Sequence, residues 1–141
     1  MGNTGTSAMN RLINFEDMQT ATTKTDTLII STLPAENQQC LITGTVSIDN
    51  EVKMLNKYIT QDKNIRIILY GLNACDQAPN KKYEQLAGLG FYRIYIYGGG
   101  MFEWLLLQDI YGKELFPTTA KESDLLKYKG VQQFDVHMLC N

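Results

Sequence analysis

Apolar and polar positions fall into two kinds of block along the chain. Thr27-Leu28-Ile29-Ile30-Ser31 and Ile65-Arg66-Ile67-Ile68-Leu69-Tyr70 are short, nearly continuous apolar runs rich in β-branched residues, the pattern of strands covered on both faces. Residues 92–97 alternate instead, with Tyr92, Ile94 and Ile96 on one side and Arg93, Tyr95 and Tyr97 on the other, which predicts a third strand. Helical spacing fills the gaps. Val52, Leu55, Tyr58 and Ile59 share one face of a helix that Asp49 or Asn50 can cap. Residues 81–89 place Tyr83, Leu86 and Ala87 together, and Gly90 is positioned as a left-handed stop. Residues 101–110 form a further helix, with Phe102, Leu105, Leu106 and Asp109 spaced around it and Tyr111-Gly112 closing it. Upstream, residues 13–18 predict a strand end followed by a helix capped at Asn14, and residues 40–48 predict a turn and another short strand.

Strands that alternate with helices predict an α/β domain with a central parallel sheet and helices on both faces. The unit over residues 65–104 is its most complete part: strand, loop, helix, strand, glycine turn, helix. Two strands joined by a helix make a βαβ crossover, and ligands of parallel sheets bind beyond the carboxyl ends of the strands. Here that place is the loop over residues 71–80, rich in Gly, Asn, Asp and Pro.

Composition narrows the function. The 141 residues suit one domain, and 44% apolar with 20% charged residues is ordinary for a globular chain. A net charge of −2, with Lys and Arg scattered, lacks the basic stripe that nucleic-acid binding needs. No apolar run approaches the ~20 residues of a membrane span. Three cysteines at wide spacing (Cys40, Cys75, Cys140) form neither a disulfide framework nor a metal site, and with the single histidine, His137, no metal or other cofactor is expected. A reducing, cytoplasmic setting follows as the expectation. The start Met1-Gly2-Asn3-Thr4-Gly5-Thr6 fits an acylation pattern with Gly2 as acceptor, although such short small-residue patterns also arise in plain tails; a single acyl chain would anchor only weakly.

Three features in register resemble the rhodanese domain. Gly99, Gly100 and Trp104 match its G-G-x-x-x-W, Leu89-Gly90-Phe91 matches its L-G-F before the last strand, and the βα unit precedes both. Ile42-Thr43-Gly44-Thr45 stands where the family has a G-H-I-P-G-A turn and keeps its Ile and Gly. The resemblance implies a rhodanese-like domain over residues 13–119, a tail over 1–12 and an extension over 120–141. It also implies an active-site loop. In the sulfurtransferases of the family this loop reads C-x-x-x-x-R-[ST], and its amides and the following helix start favour a thiolate and then a persulfide. In this chain the loop reads Gly71-Leu72-Asn73-Ala74-Cys75-Asp76-Gln77. Gly71 takes the cysteine position and Asp76 the arginine position, so the sulfur is missing and the local charge is reversed. The family's D-x-R at the first loop is replaced by Ser31-Thr32-Leu33.

The resemblance therefore implies a non-catalytic binding or scaffolding module with a protein partner. The alternative is a sulfurtransferase that uses Cys75 as a shifted nucleophile, with Lys81 or Lys82 nearby and a small anion held in the loop. Asp76 next to it places negative charge beside any thiolate. A phosphatase is disfavoured because it needs the same missing cysteine and arginine. The other chemistry-bearing residues have plainer readings: Cys40 as a small core residue, Cys140 as a surface thiol, His137 as a surface or half-buried side chain, and Trp104 and Phe102 as core. Tyr92, Tyr95 and Tyr97 read first as packing and second as partner surface. Asn73, Asp76 and Asn80 read as loop-stabilising Asx residues.

Overall fold

A computed structural model describes residues 11–134. The order is β1 (Leu12–Ile13), α1 (Phe15–Ala21), β2 (Thr27–Ser31), α2 (Ile48–Gln61), β3 (Arg66–Tyr70), α3 (Ala78–Gly88), β4 (Ile94–Tyr97) and α4 (Gly100–Tyr111). Single 3₁₀ turns lie at Ala35–Asn37 and Leu125–Tyr128. The strands form one parallel sheet in the order β1-β4-β3-β2. The apolar run of β3 is thus an inner strand, hydrogen-bonded on both sides, which is why both of its faces are hydrophobic.

Strand parity sorts the core into two layers. Ile29, Ile68, Tyr70 and Tyr97 face one way and pack with Met18 and Ala21 of α1 and Met101, Trp104 and Leu105 of α4. Leu28, Ile30, Ile67, Leu69, Ile94 and Ile96 face the other way, against Leu55 of α2 and Tyr83 and Leu86 of α3. The α/β fold with helices on both faces is as the hydrophobic pattern implies.

Local signals explain several element ends. Asn14 caps α1 through a reciprocal pair: its side chain accepts the Asp17 N–H at 3.0 Å, and Asp17 accepts the Asn14 N–H at 3.3 Å. Gly90, at φ +103°, ends α3 in a Schellman turn. The Phe91 N–H bonds Leu86 O at 3.2 Å and the Gly90 N–H bonds Ala87 O at 3.0 Å.

Other elements correct the sequence reading. The third strand begins at Ile94 rather than Tyr92, because the α3 exit turn runs through Phe91; Tyr92 is exposed and its phenol donates to Asn64. Residues 40–48 contain no extended strand. They make only isolated bridges, Ile29 to Thr45 and Ile42 to Thr118, and Ile48 already opens α2 behind Ser47. Helix α3 starts at Ala78 rather than Lys81, since Pro79 is tolerated in a first turn. Pro79 accordingly replaces the exposed Ala87 on its buried face. Val52 and Leu106 are exposed, while Leu55 and Trp104 carry the buried faces of their helices. Gly2, His137, Cys140 and most of the C-terminal apolar stretch lie outside the described residues. Among the described residues, no helix is long and apolar enough to cross a membrane.

Trp104 is the largest fully buried side chain. Its ring meets Phe116 edge-on at 5.1 Å and Tyr97 at 6.0 Å, and its indole N–H donates to Pro117 O at 3.1 Å. Trp104→Ala is expected to lower unfolding free energy by about 3–5 kcal/mol, measured by urea denaturation followed by circular dichroism.

Candidate functional site

The loop after β3 is held from below by the glycine turn that opens α4. Gly100 has φ +68°, and a Cβ there would stand 2.8 Å from Gly71 O and 2.9 Å from the Asn73 N. Only glycine permits that approach. It lets the first amides of α4 reach the loop: Met101 N–H bonds Gly71 O and Phe102 N–H bonds Leu72 O, both at 2.9 Å. Two of the helix-start donors of α4 are therefore spent on the loop's own carbonyls. The matching Gly99 lies under Glu103, whose carboxylate fills the space a Cβ would need. Glu103 accepts the Tyr97 phenol at 2.6 Å.

Asp76 organises the loop from within. Its Oδ2 accepts the Leu72 N–H at 2.9 Å and its Oδ1 accepts the Ala78 N–H at 3.0 Å, so the carboxylate bridges the two ends of the turn. Asn73 Oδ1 takes the Cys75 N–H at 2.9 Å, and Asn73 O takes the Asp76 N–H at 3.2 Å. Four loop amides are in this way directed at the loop's own oxygens. The Asp76 carboxylate also lies where a side chain on Gly71 would project; a Cβ there would overlap Oδ2 and sit 2.9 Å from the Pro79 ring. A side chain at the strand end would require the Asp76 carboxylate to give up this position.

The remaining sequence candidates are spread out. Cys75 is exposed, and its sulfur lies alongside Gly130. Lys82 pairs with Glu51 at 2.5 Å, on the side of α3 that meets α2. A cavity of about 510 Å³ opens beside the loop between Leu12, Asp76, Pro79, Glu84 and Tyr97, and the carboxylates of Asp76 and Glu84 are its charged groups. Cys40 is buried as expected; burial pushes its thiol up, and its Sγ–H reaches Ala120 O at 3.3 Å. At the end of β2, Ser31 Oγ accepts the Leu33 N–H, and the Thr32 N–H bonds Tyr70 O at 2.8 Å, tying the ends of β2 and β3 together.

Two tyrosines flank the loop at the ends of β3 and β4. Tyr70 is fully buried; its oxygen accepts the Ile42 N–H at 3.1 Å and lies 2.7 Å from Thr45 Oγ1. Spacing alone does not reveal this role, since a polar tip on an apolar strand reads as packing. Tyr95 on the same sheet face as Tyr97 is half-buried under the Arg11 guanidinium. A further contact unforeseen from spacing is Asn73 Nδ2 donating to Tyr128 O at 2.9 Å across 55 residues.

Burial pushes the Tyr97 phenol far above its ordinary value, and the hydrogen bond to Glu103 and that carboxylate's charge add to the shift. Burial likewise raises Tyr70. A raised folded-state value means that the neutral phenol is favoured by folding. This stability is complete below about pH 10, the unfolded value, and is lost as pH rises above it. Melting temperature is expected to fall above about pH 10, and less steeply in Tyr97→Phe. The overlap at Gly71 gives a second expectation, read as a double-mutant cycle by denaturation. Gly71→Cys should destabilise by about 1–3 kcal/mol, and Asp76→Ala should recover part of that loss by removing the blocking carboxylate.

Known structures share this framework. BH2092 from Bacillus halodurans is similar with a TM-score of 0.58 at 19% identity, over 93% of this chain and 90% of that one. A full-length protein from Lactobacillus plantarum gives a TM-score of 0.54 at 15% identity, over 80% and 90%. The rhodanese-like domain of the Anabaena Alr3790 protein gives 0.52 at 17% identity, over 88% and 93%. No curated protein matches the chain. A family model described as the rhodanese-like domain matches residues 15–107, more than half of the 141. The chain, with its glycine turn set under the loop after β3, belongs to the rhodanese-like domain family.

Proposed function

We propose that this domain is a non-catalytic rhodanese-like binding or scaffolding module with a protein partner, acting in the cytoplasm. The observation that carries the reading is the Asp76 carboxylate. It accepts the Leu72 and Ala78 amides and occupies the space above Gly71. A sulfur-carrying thiolate at the strand end needs that space, and it needs positive charge nearby to draw an anionic donor. Here the place is filled by a fixed negative group of the protein itself, and the adjoining cavity adds Glu84. A small anion would meet the same repulsion. The binding unit in this reading is the 13–119 domain, followed by the 120–141 extension.

Cys75 is the residue for the alternative, a shifted sulfurtransferase, because it is exposed on the same loop. In that chemistry its thiolate would attack the sulfane sulfur of thiosulfate, leaving a persulfide on the protein and releasing sulfite. The loop amides needed to stabilise sulfur at this point are directed elsewhere: the Cys75 N–H itself goes to Asn73.

The test is the intact mass of the reduced protein after incubation with thiosulfate, beside Cys75→Ser. The expected result is no added sulfur in either. Addition of one sulfur atom to the wild type alone would establish Cys75 as a carrier and end the non-catalytic reading.

A further inference from the structure

The chain beyond α4 returns across the carboxyl edge of the sheet. Up to Ala120 it is laddered to the turn at residues 41–43: Thr119 N–H bonds Leu41 O at 2.8 Å, Leu41 N–H bonds Thr119 Oγ1 at 3.0 Å, and Thr43 N–H bonds Pro117 O at 3.1 Å. After Ala120 the attachment changes in kind, from backbone pairing to side-chain anchoring. Tyr128 is 1% exposed and belongs to the core layer of Cys40, Tyr70 and Trp104. Its phenol lies beside Asn37, while Asn73 of the loop donates to its carbonyl at 2.9 Å. Leu125 packs against the same layer.

The neighbours of these two residues face solvent. Leu126 is 64% exposed and Val131 74%, and Lys127 and Lys129 are exposed as well. Leu125 and Tyr128 are three apart in a 3₁₀ turn, where residues at i and i+3 eclipse and present a single face. This is the way a short peptide sits in a groove: two apolar anchors on one side, a carbonyl held by a side-chain amide, and solvated residues between them. The groove belongs to the domain: Asn37, Cys40, Tyr70 and Asn73 all come from residues within the family match of 15–107.

We propose that the loop face is a peptide-binding groove, filled in cis by residues 121–130, and that it takes a partner segment with leucine and tyrosine three residues apart when the cis segment lets go. The proposal deepens the reading of the domain as a binding module by naming the surface and the partner chemistry. The cis segment acts as an autoinhibitory strap, because its covalent attachment gives it a high effective concentration over any free peptide. Asn73 gives the pseudo-catalytic loop a direct part in the recognition.

The test uses the full chain carrying Leu125→Ala and Tyr128→Ala, with its fold checked by circular dichroism, and a fluorescent peptide covering residues 120–134 read by anisotropy. The variant is expected to bind the peptide roughly tenfold or more tightly than the wild type, whose groove is occupied. A peptide with Tyr128→Ala should not bind. Hydrogen exchange on the unmodified wild type gives an independent reading: amides of residues 121–130 should exchange by local opening, faster than those of β3. A folded variant that fails to bind, equal binding to wild type and variant, or strap amides that exchange only together with β3 would each overturn the proposal. A variant that loses its fold would do the same, by making the segment part of the core. Sulfur uptake by Cys75 would overturn the non-catalytic reading without altering any of these outcomes, so the two failures are separable.

Discussion

The contact between Gly100 and the carbonyl of Gly71 sets the geometry of everything at the carboxyl edge of the sheet. A backbone can approach another backbone this closely only where no Cβ intervenes, and the positive φ of Gly100 turns the first amides of α4 onto the loop. The loop is consequently fixed to α4 at Gly71 and Leu72 before any side chain is considered. Trp104, one turn into the same helix, locks α4 against Phe116 and Tyr97, so the glycine turn and the hydrophobic core hold each other in place.

On that fixed base a single carboxylate decides the chemistry of the loop. Parallel sheets place their ligands beyond the strand ends because helix starts and turn amides there offer unpaired donors. In this protein Asp76 supplies the acceptor internally, bridging Leu72 and Ala78. An internal carboxylate holds a turn as well as a bound anion would, and it needs no ligand to do so. The result is a loop ordered by itself, with Asp76 and Glu84 on the cavity to one side of it and Lys81 and Lys82 on the cavity that opens at Ala78.

The segment after Thr119 extends the same logic. A polar stretch with one buried tyrosine contributes little to a core by its length, yet Tyr128 joins the central layer and its carbonyl is held by Asn73. The segment is held by side chains, Leu125 and Tyr128, and by the Asn73 amide rather than by a backbone ladder.

The strands, the helices and the layer structure were legible from residue order because periodicity is a local property: Ile67 and Leu69 against Ile68 and Tyr70 can be assigned to opposite faces without knowing their neighbours. The capping role of Asn14, the left-handed stop at Gly90 and the glycine turn before Trp104 were equally readable, since each depends on the conformational freedom or hydrogen bonding of one or two residues. Errors came at the element ends, at Tyr92, Lys81 and residues 40–48, where turns imposed by neighbouring elements override local propensity. What no spacing could reveal were the contacts that span the chain. Asp76 filling the space above Gly71 depends on how sharply the loop bends. Tyr70 bonding the backbone of Ile42, and Asn73 holding Tyr128, depend on which distant segments the packed sheet brings to one edge.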